Sequence, residues 1–328
     1  MTQELDYKIN NGLDIKYLQN KFNNLIDNVK NNFFTLPWSR YYNYLEFIDD
    51  YKDHNFKSIS VVISNWERNT YIPYTIYQIC NQDYPKELIE IIIVDQGSNN
   101  FLALQNNCKL LSEQYPDIKM RYFQHYSDPL ENCRIRRNTG IRFSQNDIIL
   151  MIESDTIFLG NNYFKIISWE FTKNLKSLVI PMVFDIKQYG DYLETDSLGQ
   201  IEYPYIKTLT NDWVPDCLVN NKVVWDVYAR LDHDFCNAFS RELIQGFKGF
   251  PENWFGYGGI EYAFYIKWLN VDIRPQYNFN LLSLQLFNFP YKLSGNLKIG
   301  DYSNCHSVLR DVDDWGTTDG MKEIDLYK

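Results

Sequence analysis

The chain has 328 residues, 45% hydrophobic and 17% aromatic, with a formal net charge of -10 and a pI near 5.0. That acidity excludes the broad Lys/Arg footprint of nucleic-acid binding, and no stretch approaches the roughly 18 uninterrupted apolar residues of a membrane span. The six cysteines lie far apart with no C-x-x-C pair, which suits reduced thiols rather than a disulfide frame or a structural zinc. The opening MTQELDYKIN lacks the basic-then-apolar pattern of a signal peptide, so a cytoplasmic protein is the simplest reading.

Taken in chain order, residues 1–55 form the first segment. Leu13, Tyr17, Leu18, Phe22, Leu25, Ile26 and Val29 keep one helical face apolar, which predicts an amphipathic helical extension. Such a face packs on the main domain or meets a partner or the periphery of a membrane. From Ser58 the pattern changes. "SISVVIS", "LIEIIIVD", "IKMRYFQHY" and "DIILMIESD" are apolar runs separated by helical stretches near Pro73, at Leu102–Gln114 and at Asn132–Phe143. Strands alternating with helices predict crossover units and a mostly parallel α/β sheet. Continuous rather than alternating apolar runs predict strands covered on both faces. Beyond Phe158 the order is looser: "KSLVIPMVFDI" and "HDFCNAFS" read as strands and Gly259–Leu269 as a helix. The final part reads mostly as loop. The expected organisation is a helical extension over 1–55, a catalytic domain over 56–280, and a C-terminal segment, 281–328, packed on it.

In open α/β sheets, ligands bind beyond the carboxyl ends of the strands. After "SVVIS" come Asn65, Trp66, Glu67 and Arg68; after "EIIIV" come Asp95, Gln96, Gly97 and Ser98; after "IILMI" come Glu153, Ser154 and Asp155. Any one of these clusters suits a turn or a helix cap. Together they deliver acids and hydrogen-bonding groups to one edge of the sheet. A dinucleotide oxidoreductase is disfavoured, because no G-x-G-x-x-G follows the first run.

Four blocks carry a resemblance. "VVISNWERNTYIP", "QICNQDYPKELIEIIIVDQGSNN", "RRNTGIRFSQNDIILMIESD" and "CNAFSRELIQGFKGFPENWFGYGGIEYAFYIKWL" stand in order from residue 58 to 269. They resemble the opening strand, the E-I-I-V-V-D-D-G-S segment, the A-R-N to D-x-D segment and the G-W-G-x-E-D segment of family 2 glycosyltransferases and their GT-A relatives. The last block also resembles the G-W-G-x-E-D region of galactosyl- and N-acetylgalactosaminyl-transferases.

The resemblance implies a GT-A fold with a Rossmann-like nucleotide-binding half. It also implies transfer of a hexosyl or N-acetylhexosaminyl group from a nucleotide-sugar donor, most simply a UDP-sugar, to a glycan or glycoconjugate acceptor, with inversion. Asp95 stands where the family accepts the uracil N–H, with Asn65 and Trp66 framing the base. Asp155 stands as the ligand of a divalent cation, Mn2+ or Mg2+, with Glu153 and Ser154 beside it. Arg137 falls in the A-R-N block, with Arg136 replacing a small residue, and suits phosphate oxygens or sugar hydroxyls. Glu261 stands where the catalytic base is expected. The family's H-x-W-H has its counterpart in "QLFN", Gln285 to Asn288, with both histidines gone; alternatively, "CHSVLRD" resembles the C-terminal histidine segment of β-galactosyl- and N-acetylgalactosaminyl-transferases, making His306 a third metal ligand. Two departures matter: Glu153 replaces the usual first Asp, and Ile260 replaces the acid before Glu261. They support an alternative, a non-catalytic nucleotide-sugar-binding or accessory protein on the same fold.

Overall fold

The computed structural model describes residues 55–66, 68–69, 71–125, 133–158, 160–188, 208–209, 225–230, 236–246, 248–250, 264, 268, 271–273, 275–286 and 321–326. Residues 1–54 of the predicted extension lie outside them. The first two apolar runs become strands β1 (Ile59–Asn65) and β2 (Ile89–Gln96), in which every residue is buried. Strands β3 (Lys119–His125) and β4 (Ile148–Glu153) complete a parallel core in the spatial order β3-β2-β1-β4. Parallel neighbours need covered crossovers on both faces, and that is why β1, β2 and β4 read as largely apolar runs; in β3 Lys119 and Arg121 alternate with the buried Met120 and Tyr122.

Successive side chains of a strand point to opposite faces, so β1 feeds two apolar layers. Ile59, Val61 and Ile63 pack with Ile72, Ile76 and Ile79 of α1 (Ile72–Cys80), Leu104, Cys108 and Leu111 of α2 (Phe101–Gln114), and Phe164, Ile167 and Phe171 of α4 (Tyr163–Lys173). Val62 faces the other way, in a cluster with Ile92, Ile149, Ile141, Phe250 and Trp268. There α3 (Cys133–Phe143) lies so close to the sheet that a Cβ on Gly140 would meet Val62 Cγ1 at 2.1 Å.

Beyond β4 the sheet continues through β9 (Asn237–Ser240), β6 (Leu178–Gln188), β10 (Pro275–Leu286) and the short β5 (Thr156–Phe158). Strand β8 (Trp225–Arg230) pairs with β6 and with β7 (Thr208–Leu209). A short helix, α5 (Arg241–Gly246), follows β9. At the opposite edge β11 (Met321–Ile324) runs antiparallel to β3. The predicted strands in "KSLVIPMVFDI" and "HDFCNAFS" appear as β6 and a shorter β9. In the predicted helix over 259–269, Phe264 and Trp268 are helical and buried, and its remaining residues lie outside the described ones. Seven of these elements were not expected from the sequence: β5, α4, β7, β8, α5, β10 and β11. Strand β10 crosses residue 280 and β11 lies within 281–328, so both stretches share one sheet.

Candidate active site

Strand register assembles the edge that the sequence points to. In the β1–β2 pair Asn65 sits opposite Asp95; in the β1–β4 pair Ser64 sits opposite Glu153. Polar residues from three strand ends thus meet on one rim, where chain reversal ends each apolar run.

Asp95 is wholly buried. One carboxylate oxygen accepts from Asn65 Nδ2 at 2.7 Å and Ser98 Oγ at 2.5 Å, and the other accepts from the Tyr122 hydroxyl at 3.2 Å. Burial pushes its acid up from the usual carboxylate range, and those hydrogen bonds pull the other way. Asn65 Nδ2 also donates to Asn69 Oδ1 at 2.9 Å, which ties the loop after β1 to the same rim. Trp66, in that loop, is half-buried.

The turn carrying Glu153, Ser154 and Asp155 is held from α1. Thr75 Oγ1 donates to the Ser154 carbonyl at 2.7 Å, and Gln78 Nε2 donates to the Thr156 carbonyl at 2.6 Å. Gln78 Oε1 in turn accepts the Phe158 amide N–H. A threonine and a glutamine three residues apart occupy one helix face. In so apolar a helix that pairing is the sequence signal for a buried polar contact.

Each acid of the turn meets an arginine. Asp155, with no exposed side-chain surface, pairs with Arg68. Glu153 accepts from Arg137 Nη2 at 3.1 Å. Arg137 projects from α3, and its guanidinium lies 5.5 Å from the Phe250 ring centroid. Asn138, next in the helix, exchanges two hydrogen bonds with the backbone of Phe250, each 2.8 Å long. The A-R-N block therefore anchors residue 250, from which the segment bearing Glu261 departs. Glu261 and His306 themselves lie outside the described residues.

A hard divalent ion takes oxygen ligands. The turn offers the Asp155 and Glu153 carboxylates, and Ser154 Oγ and Ser64 Oγ are buried without a hydrogen-bond partner. This donor set fits such an ion. Among the described residues no group of three or more His, Cys, Asp or Glu side chains gathers to complete the shell.

The model of the family described as Glycosyl transferase family 2 matches residues 60–244. The chain belongs to glycosyl transferase family 2. The matched span runs from β1 through the rim just described to α5. Among solved structures, this chain resembles the mannosyltransferase PcManGT from Pyrobaculum calidifontis in complex with GDP-Man and Mn2+. The TM-score is 0.50 at 14% identity, over 76% of this chain and 64% of that one. It also resembles GalNAc-T7 with UDP, GalNAc and Mn2+, with TM-score 0.50 and 13% identity, over 72% of this chain and 45% of that one. These likenesses identify the GT-A fold, and the chain spans less than two thirds of either structure. No curated protein matches its sequence.

Proposed function

We propose that this glycosyltransferase moves a hexosyl or N-acetylhexosaminyl group from a UDP-sugar to a hydroxyl of a glycan or glycoconjugate, with inversion and with a divalent cation, Mn2+ or Mg2+. The observation that carries the reading is the strand register. It sets a hydrogen-bonded Asn65–Asp95 pair and the Glu153–Asp155 turn at the ends of adjacent strands, a spacing suited to a base at one end and a diphosphate at the other. The two similar structures, one with GDP-Man and one with UDP and GalNAc, both contain Mn2+, in keeping with a nucleotide-sugar donor and a metal.

In this reading Asp95 accepts the uracil N–H while Asn65 and Trp66 frame the base. Arg137, fixed by Glu153 and Phe250, donates to phosphate or sugar oxygens. Asp155, with Glu153 beside it and His306 from the C-terminal segment, holds the cation; when bound, the ion neutralises the diphosphate as it leaves. Glu261 takes the proton from the acceptor hydroxyl as that oxygen attacks the anomeric carbon.

The test is a screen of nucleotide sugars for thermal stabilisation with and without Mn2+, followed by transfer assays. A ligand at about 100 times its Kd stabilises the native state by about 2.7 kcal/mol, a shift readily seen in Tm. Asp155→Ala should abolish both the Mn2+-dependent part of that shift and transfer. Glu261→Gln should keep the shift and lose transfer. Donor binding without sugar release by the unaltered chain would instead favour the accessory-protein reading.

A further inference from the structure

Strand β5 is the last strand on its side of the sheet, paired with β10 through Ser283 opposite Phe158 and Gln285 opposite Thr156. Its other edge meets α1 and the turn after it. There Thr75 Oγ1 donates to the Ser154 carbonyl at 2.7 Å, while Gln78 donates to the Thr156 carbonyl at 2.6 Å and accepts the Phe158 amide. Gln82 repeats the pattern, donating to the Gly160 carbonyl at 2.9 Å and accepting the Tyr163 amide at 3.0 Å. None of the three residues is more than 2% exposed. Alternate residues of an extended chain turn their backbone groups to the same edge, and buried ones need partners. A neighbouring strand would supply them from its backbone. Here the side chains of Thr75, Gln78 and Gln82 supply them.

Two of these contacts bracket Asp155. A peptide unit is planar, so the Thr75 hydrogen bond fixes the unit joining Ser154 to Asp155. The Gln78 bond likewise fixes the unit joining Thr156 to Ile157. Helix α1 is a firm support, because its Ile72, Ile76 and Ile79 are packed in the core. Between the two fixed units lies the Asp155 carboxylate, and just before it Ser154 Oγ, buried without a hydrogen-bond partner. Ligands serve an ion only when held within about 0.5 Å of the productive geometry, which demands rigid partners behind them. From these facts, and resting on the metal-dependent reading above, we infer that Thr75 and Gln78 are positioning residues for the divalent-ion site. They aim the Asp155 carboxylate and the Ser154 hydroxyl, so the turn holds its donors in place before an ion arrives. Gln82 makes the same kind of bonds farther along the chain and serves packing alone.

The experiment titrates Mn2+ into the full chain with and without UDP, reads the free ion by electron paramagnetic resonance, and follows urea unfolding of each variant alongside. Thr75→Val keeps the side-chain shape and loses the hydroxyl. It should weaken Mn2+ binding by about 10–100-fold, the usual effect of removing a partner behind a metal ligand. Thr75→Ser, which keeps the hydroxyl, should bind Mn2+ as the unaltered chain does. Gln78→Met should weaken binding in the same range as Thr75→Val. Gln82→Met should lower the urea midpoint as Gln78→Met does, yet leave the affinity for Mn2+ unchanged. Should Gln78→Met fail to fold, the comparison of Thr75→Val with Thr75→Ser decides alone. If Thr75→Val binds Mn2+ as tightly as the unaltered chain, or Gln82→Met weakens binding as much as Gln78→Met, the inference is overturned while the metal site stands. If the unaltered chain binds no Mn2+ with or without UDP, the metal-dependent reading falls and this inference with it.

Discussion

Glu153 shows how one methylene changes a neighbourhood. Its carboxylate reaches Arg137, which is nearly buried, so the longer acid holds an arginine beside the rim. Replacing Glu153 by Ala strands a buried guanidinium without its carboxylate. We expect a loss of about 1–3 kcal/mol, read as a lower urea midpoint at unchanged slope. The thiols make a second case. Cys80, Cys108 and Cys236 are free and buried. Burial pushes all three thiols up, Cys236 to about 11 although Tyr163 and Ser283 hydrogen-bond it. At pH 8 these three should resist iodoacetamide in the native protein and react only after unfolding, as peptide mapping would show. At this scale the sequence was readable wherever a polar residue ended an apolar run, as with Asn65, Asp95 and Asp155. Partnerships were not readable: Arg68 and Asp155 are 87 positions apart, and only the fold makes them neighbours.

At the scale of elements, the contact between α3 and β1 is the tightest test. Gly140→Ala drives a methyl into Val62, and overpacking of this kind typically costs about 1–3 kcal/mol. In a Val62→Ala background the same substitution should cost clearly less, so a double-mutant cycle on thermal unfolding would show a favourable coupling. Strands β1, β2 and β4 could be read from sequence because sheet residues covered on both faces form largely apolar runs. Strand β10, PQYNFNLLSLQL, could not. Its Asn, Gln and Ser residues look like loop, and its extended state depends on β6 on one side and β5 on the other. Helix α4 is different: Phe164, Ile167 and Phe171 are buried at helical spacing, and that periodicity was available beforehand.

For the molecule as a whole, β11 closes one side of the sheet. Glu323 takes two hydrogen bonds from Arg121, at 2.7 and 3.1 Å, and Leu326 is buried in the core cluster to which α2 and β3 also contribute. Arg121 also faces the buried Glu90, which accepts from Ser60 Oγ at 2.6 Å and the Gln145 amide at 2.9 Å. Ending the chain at residue 320 would bare the β3 edge and void the Leu326 site. Loss of a buried leucine alone costs about 2–5 kcal/mol, so thermal unfolding should fall by several degrees. An unpaired edge invites association, which light scattering would register. The GT-A fold was legible through four ordered blocks between residues 58 and 269, but this closure was not, because a short charged strand far from its partner carries little signal.

Arg121 and Glu323 stand 202 positions apart. A ribosome adds about 5–20 residues per second, so roughly ten to forty seconds pass between the making of β3 and the arrival of its cover. Throughout that interval the nascent polypeptide carries a bare row of amides and carbonyls, the kind of template that chaperones in the cell exist to shield.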